Sequence, residues 1–190
     1  MVPDKVILGI DPGTQVLGWG VISVIKGKAG YISMGIANLK KESDHFAKLS
    51  AIFKEVSTLI DRFSPDELAI EAPFFGKNIQ SMLKLGRAQG AAIAAALNKN
   101  MSVCEYAPRK VKMSITGKGA ASKEQVAAIV TKILAVDHQP EYLDATDGLA
   151  VALCHFLSGS VPTAVNTKTK RGTSKGDWGA FVKSNPGRVK

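Results

Sequence analysis

Four carboxylates stand where an ionised side chain is costly. Asp11 closes the apolar run Val6-Ile7-Leu8-Gly9-Ile10, and Glu71 closes Leu68-Ala69-Ile70. Asp144 and Asp147 open the apolar segment Leu149-Ala150-Val151-Ala152-Leu153. A buried carboxylate is tolerated when it is paired, hydrogen-bonded or bound to a metal. The bases lie mostly elsewhere in the sequence, which makes a metal ion the economical partner. Hard oxygen donors of this kind suit Mg²⁺, with Mn²⁺ as a substitute. Two such ions can activate a water and stabilise the leaving oxygen of a phosphodiester. Each acid also has a plainer use: Asp11 as a turn-former before Pro12-Gly13, Asp144 as a helix cap, Asp147 as a partner of the helix dipole. Glu71 is the exception, since a strand-terminal Glu after Leu-Ala-Ile has no turn or cap to serve.

An acidic site inside a chain of net charge +9 points to an enzyme for a polyanion, nucleic acid first. The bases are clustered. Beyond Ser158 there are Lys168, Lys170, Arg171, Lys175, Lys183, Arg188 and Lys190 against Asp177 alone. Between positions 77 and 123 there are Lys77, Lys84, Arg87, Lys99, Arg109, Lys110, Lys112, Lys118 and Lys123 against Glu105 alone. Such clustering is the footprint of a phosphate-backbone binder, although a solvated charged surface has the same composition. With 190 residues, 45% of them hydrophobic, the chain can build one domain with a real core. No apolar stretch approaches the roughly 20 residues of a membrane span. No secretory signal precedes the first strand. Cys104 and Cys154 lack metal or redox spacing and read as buried thiols, in keeping with a cytoplasmic protein.

The elements that must position the acids follow from periodicity. Lys5–Ile10 reads as a strand buried on both faces, Val16–Ile25 as a second and Tyr31–Leu39 as a third after a hairpin at Lys26-Gly27-Lys28. Gly18 and Gly20 bare one face of the second strand, so a helix or ligand can come close there. His45–Phe63 is a helix whose apolar face, Phe46, Leu49, Ile52, Phe53, Val56, Leu59, Ile60 and Phe63, should cover the sheet. Glu67–Glu71 is the fourth strand, followed by a helix near Ile79–Leu97, a strand at Ser102–Tyr106 and a short helix at Pro108–Ile115. Ser122 and Gln125 form a capping box for a helix through Leu134. A last helix ends near Leu157. The pattern is an α/β domain with a mixed sheet over residues 1–157, and a basic flexible tail over 158–190. Gly86, Gly90 and Ala94 make a small-residue stripe that serves close helix–sheet packing or a dimer contact equally well. If the first and fourth strands are parallel neighbours, Asp11 and Glu71 meet at one sheet edge, where open α/β sheets bind ligands. Asp144 and Asp147, three apart, share one helix face.

The block Gly9-Ile10-Asp11-Pro12-Gly13-Thr14 with Gly18-Trp19-Gly20 resembles the start of the RuvC Holliday-junction resolvases. Ala69-Ile70-Glu71, Lys84-Leu85-Gly86 with Gly90, the stretch Glu105 to Lys112 and Asp144-Ala145-Thr146-Asp147-Gly148-Leu149-Ala150 continue the resemblance in order. It covers about residues 5–157. It implies an RNase H-like fold with helices on both faces of a mixed central sheet, a homodimer, and Mg²⁺-dependent cleavage of four-way junction DNA. The implied cuts are paired and symmetric, leaving 5′-phosphate and 3′-hydroxyl ends. It further implies Asp11, Glu71, Asp144 and Asp147 as the catalytic and metal-binding acids, and RuvA and RuvB, the branch-migration proteins, as partners. Gly148 departs from the family, where Ala commonly follows the last Asp; the change should be tolerated. The tail is an extension that the family core does not need.

Phe74 and Phe75, three and four residues past Glu71, sit between Pro73 and Gly76, a setting that leaves at least one aromatic exposed. An exposed ring there can stack on a base; the alternative is a core plug under a loop. By resemblance Phe74 matches the family's junction-contacting Phe, and Lys112 and Lys123 match basic residues near the scissile strand. Lys77, Arg87, Arg109, Lys110 and Lys118 are assigned only to phosphate positioning. His155 reads as structural. An actin-like phosphotransferase shares Asp-x-Gly-Thr but needs a second phosphate loop that this chain lacks. A non-cutting junction binder would not need the full acidic set, and an RNA-directed relative remains compatible with the sequence.

Overall fold

The computed structural model describes residues 2–73, 78–137 and 142–159. Three strands open the chain: β1 (Lys5–Asp11), β2 (Val16–Ile25) and β3 (Lys28–Asn38). Helix α1 (His45–Phe63), strand β4 (Glu67–Glu71), helix α2 (Ile79–Asn98) and strand β5 (Ser102–Tyr106) follow. Helices α3 (Pro108–Thr116), α4 (Lys123–Ile133) and α5 (Leu143–Leu157) complete the described chain. The sheet order is β3-β2-β1-β4-β5, with β1, β4 and β5 parallel and β2 antiparallel to both neighbours.

Alternation along the central strands divides the core in two. Val6, Leu8 and Ile10 of β1 and Leu68 and Ile70 of β4 face α1 and α2, with Ile52, Val56, Ala88 and Ala92. Ile7 and Ala69 face the other way, onto α3, α4 and α5 with Val111, Val130, Leu149 and Leu153. Helices therefore cover both faces, as the sequence implies. Side chains of period two must place Gly9 and Asp11, and likewise Glu67 and Glu71, on the α5 side.

Helix α5 lies against β2 because glycines clear its path. A Cβ on Gly20 would stand 2.5 Å from the Leu149 backbone nitrogen, and one on Gly18 would run into the Asp144 carbonyl oxygen. The approach is mutual: a Cβ on Gly148 would stand 2.5 Å from the Trp19 backbone.

Local signals behave as their chemistry dictates. Asp44 caps α1 through the Ala47 N–H at 2.9 Å, and the Ser122–Gln125 capping box is complete at the start of α4. The hairpin turn is tighter than the sequence suggests: Lys26 and Gly27 take positive φ, and β3 begins already at Lys28. Two core assignments fail: Phe46 is 76% and Phe53 36% exposed, while burial along the helix includes Ile52, Val56, Leu59 and Ile60. Among the described residues no helix is long and apolar enough to cross a membrane. The tail from 160 onward, Phe74 to Lys77 and His138 lie outside the described residues.

Candidate active site

The parallel pairing of β1 with β4 runs Ile7↔Glu67 to Ile10↔Ile70, so the next residue on each strand is Asp11 and Glu71. Both leave the C-terminal edge on the same face. Glu71 is held further by the β4–β5 register, in which it pairs with Tyr106 while the Ala72 N–H donates to the Tyr106 carbonyl at 2.9 Å. The Gln89 amide donates to the Glu71 carbonyl at 3.4 Å and to Glu105 Oε2 at 3.2 Å, tying α2 to the same strand end. Sequence reasoning missed Gln89, since a lone polar residue among alanines carries no spacing signal.

Helix α5 runs antiparallel to β1, from Asp144 beside Gly18 at the upper edge to His155 at the base of β4. Its first turns bring Asp147 over Asp11 and Glu71. A cleft of about 100 Å³ is lined by these three carboxylates together with Lys112, Lys123 and the apolar walls Val111, Val126 and Ala150. Asp144 stands outside this lining, joined through Lys123, whose Nζ lies 3.3 Å from Asp144 Oδ1 and 2.6 Å from Asp147 Oδ2. Lys123 is therefore an ion-pair partner as well as a DNA-contact candidate, which corrects the view that the bases lie away from the acids. Arg109 and Lys118 are exposed on α3 and its following loop and do not line the cleft. Arg109 packs its stem close to Gly119.

The electrostatics are those of crowded anions. Burial, then repulsion from Asp147, pushes the Asp11 carboxyl up to about 6. Burial, then repulsion from Asp11 and Asp147, pushes Glu71 up to about 8. Asp147 also rises: burial, with Asp144 adding, outweighs the hydrogen bond and charge of Lys123. Burial alone would lower Lys123, but Asp147 and then Asp11 hold its ammonium above the usual range. A divalent cation held by these carboxylates would offset the repulsion that raises them. The three carboxylates that line the cleft are oxygen donors, which fit a hard ion. Among the described residues, however, no three acidic, His or Cys side chains already converge as a ready-made cage. Lys123 stands between Asp144 and Asp147 instead.

Below the site, a buried chain of polar groups joins the elements that carry the acids. His155 is fully buried; its Nδ1 lies 2.7 Å from the Tyr106 hydroxyl and its Nε2 2.8 Å from Glu67 Oε2. Glu67 Oε1 accepts from Lys5 Nζ at 2.8 Å. Burial would raise Glu67, but the hydrogen bonds from Lys5 and His155 outweigh it and hold its carboxyl below the ordinary range. His155 is structural, as the sequence indicates.

The family profile described as "Crossover junction endodeoxyribonuclease RuvC" matches residues 7–155. A protein described as crossover junction endodeoxyribonuclease RuvC from Cytophaga hutchinsonii is 53% identical over 188 residues, covering 98% of this chain and 89% of that protein. One of the same description from Bacteroides fragilis is 52% identical, covering 100% of this chain and 98% of its own. Among solved structures, Thermus thermophilus RuvC in complex with a Holliday junction substrate superposes with a TM-score of 0.74 at 33% identity, over 81% of this chain and 94% of that one. The yeast mitochondrial Holliday junction resolvase, 13% identical with a TM-score of 0.57, shares the fold.

Proposed function

This chain belongs to the RuvC family of crossover junction endodeoxyribonucleases, and we propose from its geometry how it resolves a four-way DNA junction. The observation that carries the reading is the meeting of Asp11, Glu71 and Asp147 in one cleft with Lys112 and Lys123. The reaction hydrolyses a phosphodiester: water attacks phosphorus, the bond to the 3′ oxygen breaks, and that oxygen takes a proton. The products are a 5′-phosphate and a 3′-hydroxyl. Asp11, Glu71 and Asp147, with Asp144 at the rim, would hold Mg²⁺, and Mn²⁺ in its place. The bound ions supply charge neutralisation at the scissile phosphate and a more acidic water. Lys112 and Lys123 attract and orient the phosphate, and Arg109 and Lys118 hold the backbone further out; Lys77 is assigned to the backbone from its sequence position alone. Phe74, beside the site in sequence, stacks on a base at the exchange point.

Paired, symmetric cuts need two sites related by a two-fold axis. The outer face of α2 suits a homodimer: Ile79, Leu83 and Leu97 are exposed at 69%, 50% and 50%, with open space above Gly86 and Gly90. RuvA and RuvB, and a cytoplasmic place of action on DNA, follow from the same reading. The test is Asp147→Asn incubated with four-way, linear duplex and RNA–DNA hybrid substrates, with and without Mg²⁺. The expected result is loss of Mg²⁺-dependent nicking with junction binding retained. Full cleavage by this variant removes Asp147 from the chemistry, and equal cutting of all three substrates by the unaltered protein refutes junction selectivity.

A further inference from the structure

Helix α2 carries a polar side chain on its otherwise apolar buried face. Its buried residues are Ala88, Gln89, Ala92, Ala95 and Ala96, and an amide in that row is costly unless its N–H groups find acceptors. Gln89 finds two, on two strands. Its Nε2 lies 3.4 Å from the Glu71 carbonyl oxygen at the end of β4 and 3.2 Å from Glu105 Oε2 on β5. A carbonyl and an ionised carboxylate only accept, so the NH₂ end of the amide must face them. Glu105 is exposed, where water can satisfy its carboxylate without Gln89.

The Glu71 carbonyl is the acceptor with the greater need. The Ala72 N–H of the same peptide donates to the Tyr106 carbonyl on β5 at 2.9 Å. A trans peptide points its carbonyl away from its N–H, so the Glu71 carbonyl is turned back toward β1. In the register Ile10↔Ile70 the next donor on β1 would be the N–H of residue 12. Residue 12 is Pro12, which has none. Gln89 supplies the donor that the ladder lacks. The peptide after Glu71 is then held at both poles, and the peptide before it is held by the pairing of Ile70 with Ile10 and Glu105. A residue between two fixed peptide planes has its Cα–Cβ direction fixed, and from Glu71 that direction leads into the cleft shared with Asp11 and Asp147.

We propose that Gln89 is a positioning residue for phosphodiester cleavage: by anchoring the peptide after Glu71 it holds the Glu71 carboxylate where the cleft would take a metal ion. This role rests on the metal-dependent junction-resolvase reading. Helix α2 packs on the face of the sheet opposite α5, and through Gln89 it nevertheless acts on the acids that α5 approaches.

The test uses the full chain and two variants. Gln89→Met keeps the length of the side chain and removes both N–H groups; Gln89→Arg keeps donors that can serve a carbonyl and a carboxylate together. Hydrogen bonds that orient metal ligands are worth roughly ten- to a hundredfold in affinity or activity. For Gln89→Met the expected outcome is about tenfold weaker Mg²⁺ binding by calorimetry without DNA and about tenfold lower kcat on a four-way junction, with KM and junction affinity in EDTA unchanged. Gln89→Arg is expected to recover most of both. A purely structural amide would instead lower the melting temperature of Gln89→Met and leave its Mg²⁺ affinity and kcat, measured well below melting, as in the unaltered protein; that result overturns the positioning role. Equal impairment of the Met and Arg variants overturns it as well, since the donors would then be irrelevant. Failure of the unaltered protein to bind Mg²⁺ or to nick the junction overturns the resolvase reading itself, so the two failures are distinguishable.

Discussion

Replacing Gly18 by Ala tests the contact that sets the carboxylates. A Cβ there would collide with the Asp144 carbonyl oxygen and stand 2.8 Å from the carbonyl carbon. Ordinary contact begins near 3.4 Å, and clearing the oxygen, the nearer of the two atoms, requires the first turn of α5 to withdraw by about an ångström or more. The neighbouring Gly20 and Gly148 contacts leave no slack to absorb the shift elsewhere along the helix. Overpacking of this kind costs about 1–3 kcal/mol, which for a domain of this size lowers the melting temperature by roughly 3–10 °C. The larger effect falls on chemistry. Metal–ligand distances tolerate only about 0.2 Å, and a misplacement near 1 Å costs on the order of a hundredfold in rate. Gly18→Ala should therefore remain folded at 25 °C, bind Mg²⁺ weakly by calorimetry, and nick a four-way junction on the order of a hundredfold more slowly. Gly30→Ala is the control, because its Cβ meets only the Ser23 hydroxyl at 3.2 Å. If Gly18→Ala melts and cuts like the unaltered protein, α5 does not sit where these glycines place it.

The raised Glu71 carboxyl makes stability depend on pH in the absence of metal. Its folded pKa of about 8 lies above the unfolded value near 4.5, so the folded state holds the proton more tightly. The corresponding stability is fully present below about pH 4.5 and is lost as pH rises through 8. Glu71→Gln should be more stable than the unaltered protein by roughly 2–4 kcal/mol at pH 8 in EDTA, with a flatter dependence between pH 5 and 8; parallel urea-melt profiles for the two proteins would contradict this. His155→Leu leaves Glu67 Oε2 without its partner and takes one partner from the Tyr106 hydroxyl, and should cost about 2–3 kcal/mol; a loss under 1 kcal/mol in denaturant titration would mean that the chain of polar groups contributes little. Deleting residues 160–190 should flatten the slope of log affinity against log salt for junction DNA, since fewer counterions are displaced; an identical slope means that the tail does not touch DNA.

The fold was legible wherever pattern and periodicity act locally. The alternation in β1 and β4, the 3–4 repeat of α1 and the capping box at Ser122 each specify an element without help from distant residues. The bare glycine face of β2 announced a close helix or ligand, and only the fold identifies the occupant as α5. Phe46 and Phe53 were misread because the apolar repeat of a helix does not say how wide a stripe of it is covered. The pairing of Lys123 with Asp144 and Asp147 was invisible for another reason: it spans 21 and 24 residues and two helices, and a lysine's type gives no hint of its partner. The same holds for Gln89 and for the Tyr106–His155–Glu67 chain, whose members are chosen by tertiary contact.

What brings Asp11, Glu71 and Asp147 into one cleft is a matter of parity and clearance. Parallel pairing in the register Ile10↔Ile70 puts Asp11 and Glu71 side by side, and period two puts them on the α5 face. A slip of one residue in β4 would turn Glu71 toward α1 and α2 and bury Leu68 and Ile70 on the wrong side. Register at the sheet centre is therefore enforced by the hydrophobic core, and the active-site geometry inherits that enforcement at no cost of its own. The glycines then admit α5 closely enough for Asp147 to reach the pair, and Lys123 offsets part of the resulting repulsion. In the proposed reading Lys123 pairs with the carboxylates that a cation would need, so a bound cation would compete with it and leave its ammonium free to meet a phosphate at the cleft.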